Sequence, residues 1–572
     1  MRSLYNKTYT ILRSAVTRAN LQKRFSGRSV TGERTRILNE TTLTGRLLYY
    51  LNDKKNEQGD QENMNATNLL GKMKKQAFVD LGQYDIKQIN CIFNMLRDRH
   101  FLNNKFQTLK LLQNLDHEYM HRLNEMDPEQ IFDVLNSYMA AIPNRIIQYI
   151  FYKESMNKLL GIKETLNKEQ IIKLIFFIGL NKKHVKVHDI LRSLLNLLGE
   201  KDIQTLSVED ICIICQATFK TGTKVYNKVF LDKIVQYLND NLFLLKDPAL
   251  FIALIKTVRQ NRCQTEDLLA TISCTMFFNK TLQYYSFAAL SHILAVYSDY
   301  LYYDENLLDA ITEKSIRILK EYHFTSTHKY FLENPRIKDI KTLLWSLSNL
   351  NYKGLQADDI KDVIIPIIMK RYAAGECRDD NMSLLEIISH LWMLNYHAYE
   401  LIDIVLTKEN VQKIRATSLQ NKHKLNQLLS CIFFEDRPLF QKLNIHPQCE
   451  DYEQKFQMEK RPLLTKVMKN LESASCSNEI TKFELGCQIP GLNILGITGY
   501  KKNIYKAVNI EVLDEYTVLK NTEDKPTGPM QLKLRLLNGA EEGLIVIPAK
   551  DVEDYTDEEL REYLGDEIDL VC

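Results

Sequence analysis

Asp127-Pro-Glu-Gln-Ile-Phe-Asp-Val-Leu135 joins a polar turn to an apolar helical pattern, and the same combination returns at intervals of 40 residues. The later copies are Asn167-Lys-Glu-Gln-Ile-Ile-Lys-Leu-Ile175, Ser207-Val-Glu-Asp-Ile-Cys-Ile-Ile-Cys215 and Asp247-Pro-Ala-Leu-Phe-Ile-Ala-Leu-Ile255. Aspartate, asparagine and serine are preferred N-caps, and proline is tolerated at the first helical position because its missing N–H is not needed there. Each copy therefore predicts a helix start.

The fixed interval leaves room for two helices and two turns, which is the unit of an α-solenoid. A fifth copy, Phe287-Ala-Ala-Leu-Ser-His-Ile-Leu294, extends the series. We therefore expect a mostly α fold whose main part is an α-solenoid of helical hairpin repeats with a period of about 40 residues. The alternative is an irregular helical bundle in which the spacing coincides.

Two later segments match each other more closely than they match the first series. Leu347-Ser-Asn-Leu-Asn-Tyr352 and Leu391-Trp-Met-Leu-Asn-Tyr396 share the pattern L-x-x-L-N-Y. The two tryptophans of the chain, Trp345 and Trp392, belong to these predicted helices. Large aromatic side chains in apolar helices are more often core anchors than stacking platforms, so we expect them in the core.

Near the C-terminus the hydrophobic period changes. Val508–Leu513 and Gly543–Pro548 are patterns of strand length, the second of them almost entirely apolar, and Pro529–Leu537 between them is compatible with a strand or a helix. Pro529 at a helix start favours the helix. These elements predict a small α/β module, followed by an acidic surface helix over 551–569.

The N-terminal segment is basic and amphipathic. Residues 1–32 carry seven positive charges and no acidic residue, and an apolar helical face runs from Tyr5 to Val16. This pattern is typical of a mitochondrial presequence and predicts import into the mitochondrial matrix; a disordered basic arm is the alternative. The mostly polar residues 33–75 predict a flexible linker.

The charge of the rest of the chain does not point to nucleic acid. The net charge is +3, and removing the seven charges of the basic segment leaves −4. Any nucleic-acid site must therefore be local. No apolar run approaches the roughly 18 residues that a membrane span needs, so we expect no membrane span.

Cysteine usage predicts neither a metal site nor a cofactor. Cys212 and Cys215 form a C-x-x-C, but they lie in an apolar helical run and no second ligand pair has suitable spacing. Buried, reduced cysteines are the expected state in a reducing matrix.

Several segments resemble the FAST kinase domain-containing (FASTK) family of mitochondrial RNA-binding proteins. Leu343–Tyr352 is similar to the first FAST subdomain, while Asn509–Asp514, Met530–Leu537 and Val546–Pro548 are similar to the C-terminal RAP domain. The second FAST subdomain would lie around Lys424–Phe440. The resulting domain prediction is helical repeats over 76–335, a FAST_1-like helical region over 336–402, a FAST_2-like region over 403–500 and a RAP-like α/β domain over 505–565.

The resemblance implies a matrix protein that binds mitochondrial RNA and controls the processing, stability or translation of transcripts, together with other RNA-processing proteins. It also implies a RAP domain related to restriction-endonuclease-like folds, in which Asp514 stands where such folds place an acidic metal ligand. Metal-dependent hydrolysis needs at least two converging acidic ligands, and no Glu-x-Lys accompanies Asp514. We therefore expect a degenerate RAP domain and no enzyme, with a ribonuclease acting through Asp514 as an alternative.

Kinase activity is not predicted despite the family name. A protein kinase needs a Gly-rich phosphate loop, a strand lysine, a catalytic-loop aspartate and a DFG motif. The sequence has no DFG, and Asp98-Arg99-His100 is in the wrong order for a catalytic loop.

The candidate RNA contacts are cations in turns that follow repeat helices and on the RAP-like segment, because lysines can follow the phosphates of a single strand along a solenoid. These candidates are Lys182, Lys183, Lys186, Lys220, Lys224, Lys228, Lys533 and Arg535. Solvated turns and surface ion pairs are the alternatives for these residues. At the level of the whole protein, the alternative is a helical protein–protein scaffold without RNA contact.

Overall fold

A computed structural model gives the structure of the chain, which is mostly helical with a small four-stranded mixed sheet towards the C-terminus. The structure describes residues 42–53, 81–90, 105–142, 145–182, 184–241, 245–278, 280–324, 334–377, 381–448, 455–473, 480–501, 507–540 and 542–571. The predicted presequence lies outside these ranges. Within them, no helix has both the length and the apolar character needed to cross a bilayer.

The chain divides into two compact units, Met1–Cys263 (unit 1) and Gln264–Cys572 (unit 2). The described α-helices of unit 1 are α1 (Leu43–Asp53), α2 (Lys105–Arg122), α3 (Pro128–Ala141), α4 (Ile150–Gly161), α5 (Lys168–Ile178), α6 (Val187–Leu197), α7 (Glu200–Gln204), α8 (Val208–Thr221), α9 (Lys228–Asp240) and α10 (Pro248–Asn261).

The four predicted helix starts of unit 1 are confirmed. α3, α5, α8 and α10 begin directly after the N-caps Asp127, Asn167, Ser207 and Asp247, whose side chains accept hydrogen bonds from backbone N–H groups of the first turn. The first three also form complete capping boxes. These caps satisfy N–H groups that would otherwise lack partners, which is why the polar turn recurs with the helix.

The two helices of each pair differ in burial. In the first helices the apolar residues surround the axis: every residue from Ile171 to Ile178 of α5 is buried. The second helices have a single apolar stripe, as Phe230, Ile234 and Leu238 show in α9. The first helices pack on one another in chain order, α5 against α8 and α8 against α10. They therefore form the inner layer of unit 1, and the second helices cover it.

Part of the predicted linker is helical. The pattern of Leu47, Leu48 and Leu51 places three leucines on one face of α1, and all three are buried. α1 packs on α8, with Tyr50 Oη 2.9 Å from Ser207 Oγ. The expectation of a flexible linker is wrong for these residues, because contacts with a helix more than 150 positions later stabilise α1.

Unit 2 continues with helices and ends in the sheet module. Its α-helices before the sheet are α11 (Glu266–Phe278), α12 (Phe287–Tyr300), α13 (Glu305–Phe324), α14 (Ile337–Asn349), α15 (Ile365–Ala373, preceded by Ala357–Asp359 and the π-helical turn Ile360–Ile364), α16 (Asn381–Met393), α17 (Tyr399–Val405), α18 (Lys408–Arg415), α19 (Leu419–Glu435), α20 (Arg437–Leu443), α21 (Lys455–Lys460) and α22 (Pro462–Ser473). Among the expected core anchors, Trp392 is fully buried whereas Trp345 is half-buried.

The L-x-x-L-N-Y repeat marks two helix ends. Asn351 and Asn395 have φ angles of 48° and 63°, in the left-handed region that asparagine tolerates better than most residues. The following tyrosines return hydrogen bonds to the helix: Tyr352 N–H donates to the Leu347 carbonyl, and Tyr396 N–H to the Leu391 carbonyl. The repeated sequence is thus a C-terminal cap of α14 and α16.

The C-terminal module contains β1 (Ile480–Gly486), β2 (Gly496–Lys501), β3 (Ala507–Leu513), α23 (Gly528–Asn538), β4 (Gly543–Pro548), α24 (Ala549–Val552) and α25 (Asp557–Val571). The strands lie in the order β1-β2-β3-β4; β1–β2 and β2–β3 are antiparallel, and β3–β4 are parallel. The two predicted strands and the helix at α23 are confirmed. The sheet begins earlier than residue 505, however, because β1, β2 and α22 share its core.

Candidate nucleic-acid interface

One edge of unit 1 is formed by the loops that connect the first helix of a pair to the second. The described residues of these loops are 142, 145–149, 179–182, 184–186 and 222–227, together with 262–263 at the end of α10, and we call them the basic edge. They contain five lysine or arginine residues and no acidic residue. The described residues of the loops at the opposite ends of the helices, 162–167, 198–207, 241 and 245–247, contain four acidic residues and three lysines. Positive charge is therefore concentrated on one edge.

Hydrogen bonds join the helix ends and loops of successive helix pairs along the basic edge. Tyr152 Oη, at the start of α4, donates to the Phe177 carbonyl at the end of α5 over 2.7 Å. His188 Nδ1 lies 3.1 Å from Thr223 Oγ1, and Val225 N–H donates to Asn261 Oδ1 over 2.8 Å. The loops therefore form a continuous, internally bonded surface rather than separate turns.

Most of the predicted turn lysines are exposed on this surface. Lys182 and Lys186 are exposed in the loop before α6, and Lys224 and Lys228 are exposed in the loop before α9 and at its first residue. Lys183 lies outside the described residues. The structure thus brings together four of the cations that the sequence suggested.

Lys220 differs from the other predicted lysines because α1 covers it. Its Nζ donates to Thr44 Oγ1 over 3.1 Å. Burial, together with the nearby charge of Lys182, lowers the pKa of Lys220 to about 8. It remains mostly charged at neutral pH, but α1 limits its contact with a ligand.

The sequence reasoning missed other residues of the basic edge. Arg145 and Arg262 are exposed in the first and last of these loops. Arg262 lies 80 positions, or two repeat intervals, after Lys182, so a comparison of equivalent repeat positions could have found it. Tyr226 is 72% exposed, and the Arg192 guanidinium lies 4.8 Å from its ring centroid. No sequence signal pairs these two residues, since they belong to different helix pairs.

Lys533 is not accessible to RNA in this structure. Its side chain is completely buried inside the C-terminal module, with Nζ 2.5 Å from Glu511 Oε1 and 3.0 Å from the Ile494 carbonyl. Burial lowers the pKa of Lys533 and raises that of Glu511, while each partner opposes the shift in the other. The alternation of Lys533 with leucines in the sequence therefore reflects the packing of α23 inside the module.

Arg535 holds the module against the helices of unit 2. Its Nε donates to Glu435 Oε1 over 2.7 Å, and its Nη2 donates to the Trp392 carbonyl over 2.8 Å. The Trp392 indole N–H also donates to Glu435. The ion pair that was an alternative to RNA contact is therefore present at this residue.

Asp514 lies at the end of β3 with its carboxylate already bonded. Arg461 Nε donates to Asp514 Oδ2 over 2.7 Å, and Tyr516 N–H and Thr517 Oγ1 both donate to Oδ1 over 3.1 Å. The other guanidinium nitrogens of Arg461 donate to the carbonyls of Leu495 and Val512. The geometry gives Asp514 a role in fixing the end of β3; to bind a metal it would have to release Arg461.

The C-x-x-C cysteines are buried in α8. Burial raises the pKa of both thiols, that of Cys215 to about 12, so both are protonated at neutral pH. Within the described ranges, no group of three or more His, Cys, Asp or Glu side chains is placed to hold a metal ion.

Comparison with known proteins identifies no relative: no protein-family model matches the chain, and no curated protein matches it.

Proposed function

We propose that this chain is an RNA-binding protein of the mitochondrial matrix that holds single-stranded RNA along the basic edge of unit 1 and acts on the processing, stability or translation of transcripts. The observation that carries the proposal is the separation of charge between the two edges of unit 1. A protein whose body has a negative net charge needs such a local surface to attract a polyanion. The presequence-like pattern of residues 1–32 and the resemblance to the FASTK family support the same conclusion.

The hairpins supply the spacing for this surface. We propose that they form an α-solenoid, in which neighbouring helices pack about 8 to 10 Å apart and present each loop beside the next. An RNA strand lying across the loops would then meet at least one further cation at each loop. Lysine and arginine contacts with phosphates give affinity without sequence preference, and bases facing the loops provide the opportunity for selectivity.

The C-terminal module supports unit 2 in this proposal and does not contact RNA through α23. Lys533 and Arg535 are both committed to intramolecular ion pairs. A RAP-like module of this kind would stabilise the helices that carry it.

Charge reversal on the two edges tests the proposal. Lys182→Glu/Lys224→Glu changes two exposed lysines of the basic edge, and Lys201→Glu/Lys246→Glu makes the same change in net charge on the opposite loops, where both lysines are also exposed. We expect the first variant to bind a single-stranded RNA oligonucleotide at least about tenfold more weakly. Its salt dependence should also fall by roughly 1.4 in log–log slope, the value for two lost phosphate contacts. The second variant should retain most of the affinity.

Fluorescence anisotropy over a range of salt concentrations measures both quantities. An equal loss in the two variants would show that only net charge matters, and the basic edge would then not be the binding site. Ultraviolet crosslinking in isolated mitochondria applies the same comparison in the organelle. If no RNA is recovered with the unaltered protein, the RNA-binding function is wrong.

A further inference from the structure

The loop before α9 presents an aromatic ring to solvent from a fixed backbone. Gly222 begins the loop with a φ of 75°, which a residue with a side chain adopts less readily. Thr223 is held from both sides, since its hydroxyl contacts His188 of the preceding pair and its carbonyl accepts from Gln260 Nε2 of the following one over 3.0 Å. Tyr226 therefore extends from a rigid platform.

Arg192 orients the exposed ring. Its guanidinium lies 4.8 Å from the centroid of Tyr226, and its Nε donates to the Lys224 carbonyl over 3.4 Å. A cation over one face of the ring is attracted by the negative charge of the π-system. With the side chain 72% exposed, most of the ring stays open to solvent although a tyrosine of this size would gain free energy from burial.

The surroundings of Tyr226 indicate what would cover it. Lys224 and Lys228, two positions before and after it, are exposed, and the loop contains no acidic residue. A partner protein with an apolar surface would have to bury these ammonium groups, at a cost. A nucleotide combines a flat aromatic base with a phosphate, and so matches an aromatic ring flanked by cations.

We propose that Tyr226 is a stacking site for an unpaired nucleobase, with Lys224 and Lys228 contacting the adjoining phosphates and Arg192 acting as the positioning residue for the ring. This inference rests on the proposed function and adds the residue that recognises an unpaired base. Bases inside a duplex are already stacked and paired, so they cannot reach the ring. The site therefore selects single-stranded RNA over duplex RNA of the same length.

Tyr226→Ala in the full chain removes the aromatic ring and tests the site. Tyr226→Phe is the control that keeps the ring. The probes are an oligouridylate of about 12 nucleotides, a typical site size for single-strand binders, and an abasic ribose-phosphate chain of the same length. We expect Tyr226→Ala to bind oligouridylate roughly 5- to 150-fold more weakly, the effect of losing one stacked base, and to bind the abasic chain as well as the unaltered protein does. Tyr226→Phe should retain the affinity for both probes.

A tryptophan variant provides a direct optical readout. In Tyr226→Trp, oligouridylate should quench the new exposed indole, whereas the abasic chain should leave its emission unchanged. An unchanged oligouridylate affinity of Tyr226→Ala, or equal losses for the two probes, would overturn the stacking site. If Lys182→Glu/Lys224→Glu still weakens RNA binding in that case, the proposed function survives without the stacking site. If the double variant binds RNA as tightly as the unaltered protein, the proposed function is wrong as well.

Discussion

Glu511 and Lys533 are opposite charges enclosed in the C-terminal module, where neither side chain reaches solvent. Arg461 and Asp514 form a second pair within the same group, so the four charges balance. Balanced buried pairs contribute little net stability, because desolvation offsets the attraction between the charges. Removing one partner is different, because the remaining buried charge loses its direct ion-pair partner and the four charges no longer balance.

We predict that Lys533→Met destabilises the protein by roughly 3 to 5 kcal/mol, because Glu511 is left buried without its cation. The loss should depend on pH. Burial already raises the pKa of Glu511 above its ordinary value of 4.5, and Lys533 lowers it, so removing Lys533 raises it further. A carboxyl group whose pKa is higher in the folded than in the unfolded state stabilises the folded form at low pH. This stabilisation is lost as the pH rises through the folded-state pKa. Thermal unfolding at about pH 5 and about pH 8 should show that the variant is less stable at the higher pH.

The double variant Glu511→Gln/Lys533→Met is the control for this prediction, since it removes both charges. It should recover much of the stability and lose the additional pH dependence. A single variant as stable at about pH 8 as at about pH 5 would mean that Glu511 reaches solvent or finds another cation.

At the scale of elements, α1 shows how a short helix is stabilised by distant contacts. Its 11 residues are too few for a stable isolated helix in water. Arg46 makes two parallel hydrogen bonds to the Asp247 carboxylate, Nη1 to Oδ1 over 2.9 Å and Nη2 to Oδ2 over 2.7 Å. Asp247 is also the N-cap of α10, so one carboxylate joins α1 to a repeat helix.

We predict that Arg46→Met increases amide hydrogen exchange in the peptide spanning α1 by about fivefold, since a half-exposed ion pair contributes about 1 kcal/mol. The methionine keeps most of the apolar stem, so the change isolates the guanidinium. Arg46→Lys retains the charge but not the paired geometry and should give a smaller increase. Exchange in α1 that is unaffected by Arg46→Met would mean that the leucines alone hold the helix.

Local signals explain which elements the sequence could predict. The starts of α3, α5, α8 and α10 were predicted because an N-cap and its first turn are adjacent in the chain. β1 and β2 were missed because their apolar residues alternate weakly, and β2 contains Gly496 and Gly499 in six residues. Glycine lowers strand propensity, and the pairing with β3 that defines these strands is not local.

The residues of the candidate site also differ in whether the sequence could predict them. Lys182 and Lys224 could be predicted because each lies in the turn after a helix whose start the sequence predicts. The contact between Arg192 and Tyr226 joins two helix pairs, and the burial of Lys533 depends on the sheet, so neither could be inferred from neighbours in sequence. Residue type and turn position were visible in the sequence, whereas exposure was not.

At the scale of the whole molecule, the segment before α23 joins the C-terminal module to the helices of unit 2. Lys520 N–H donates to the Leu301 carbonyl over 2.8 Å, and Asn351 Nδ2 donates to the Pro526 carbonyl over 3.1 Å. α23 then begins at Gly528 against the end of α14, where a Cβ would lie 1.7 Å from the Ser348 carbonyl oxygen. Both sides of this contact are backbone, so neither can rotate away.

We predict that Gly528→Ala separates the module from the helices of unit 2, because the methyl group cannot be accommodated without moving α23. Differential scanning calorimetry should show a new transition at lower temperature for the module, where the unaltered unit 2 unfolds together. Gly565→Ala is the matched control: no atom lies within 4 Å of a Cβ there, and alanine in α25 should stabilise the helix by about 0.5 to 1 kcal/mol. If Gly528→Ala unfolds like the unaltered protein, the tight contact at Ser348 is not what couples the sheet to the helices. The hydrogen bonds of Lys520, Asn351 and Arg535 then carry that coupling instead.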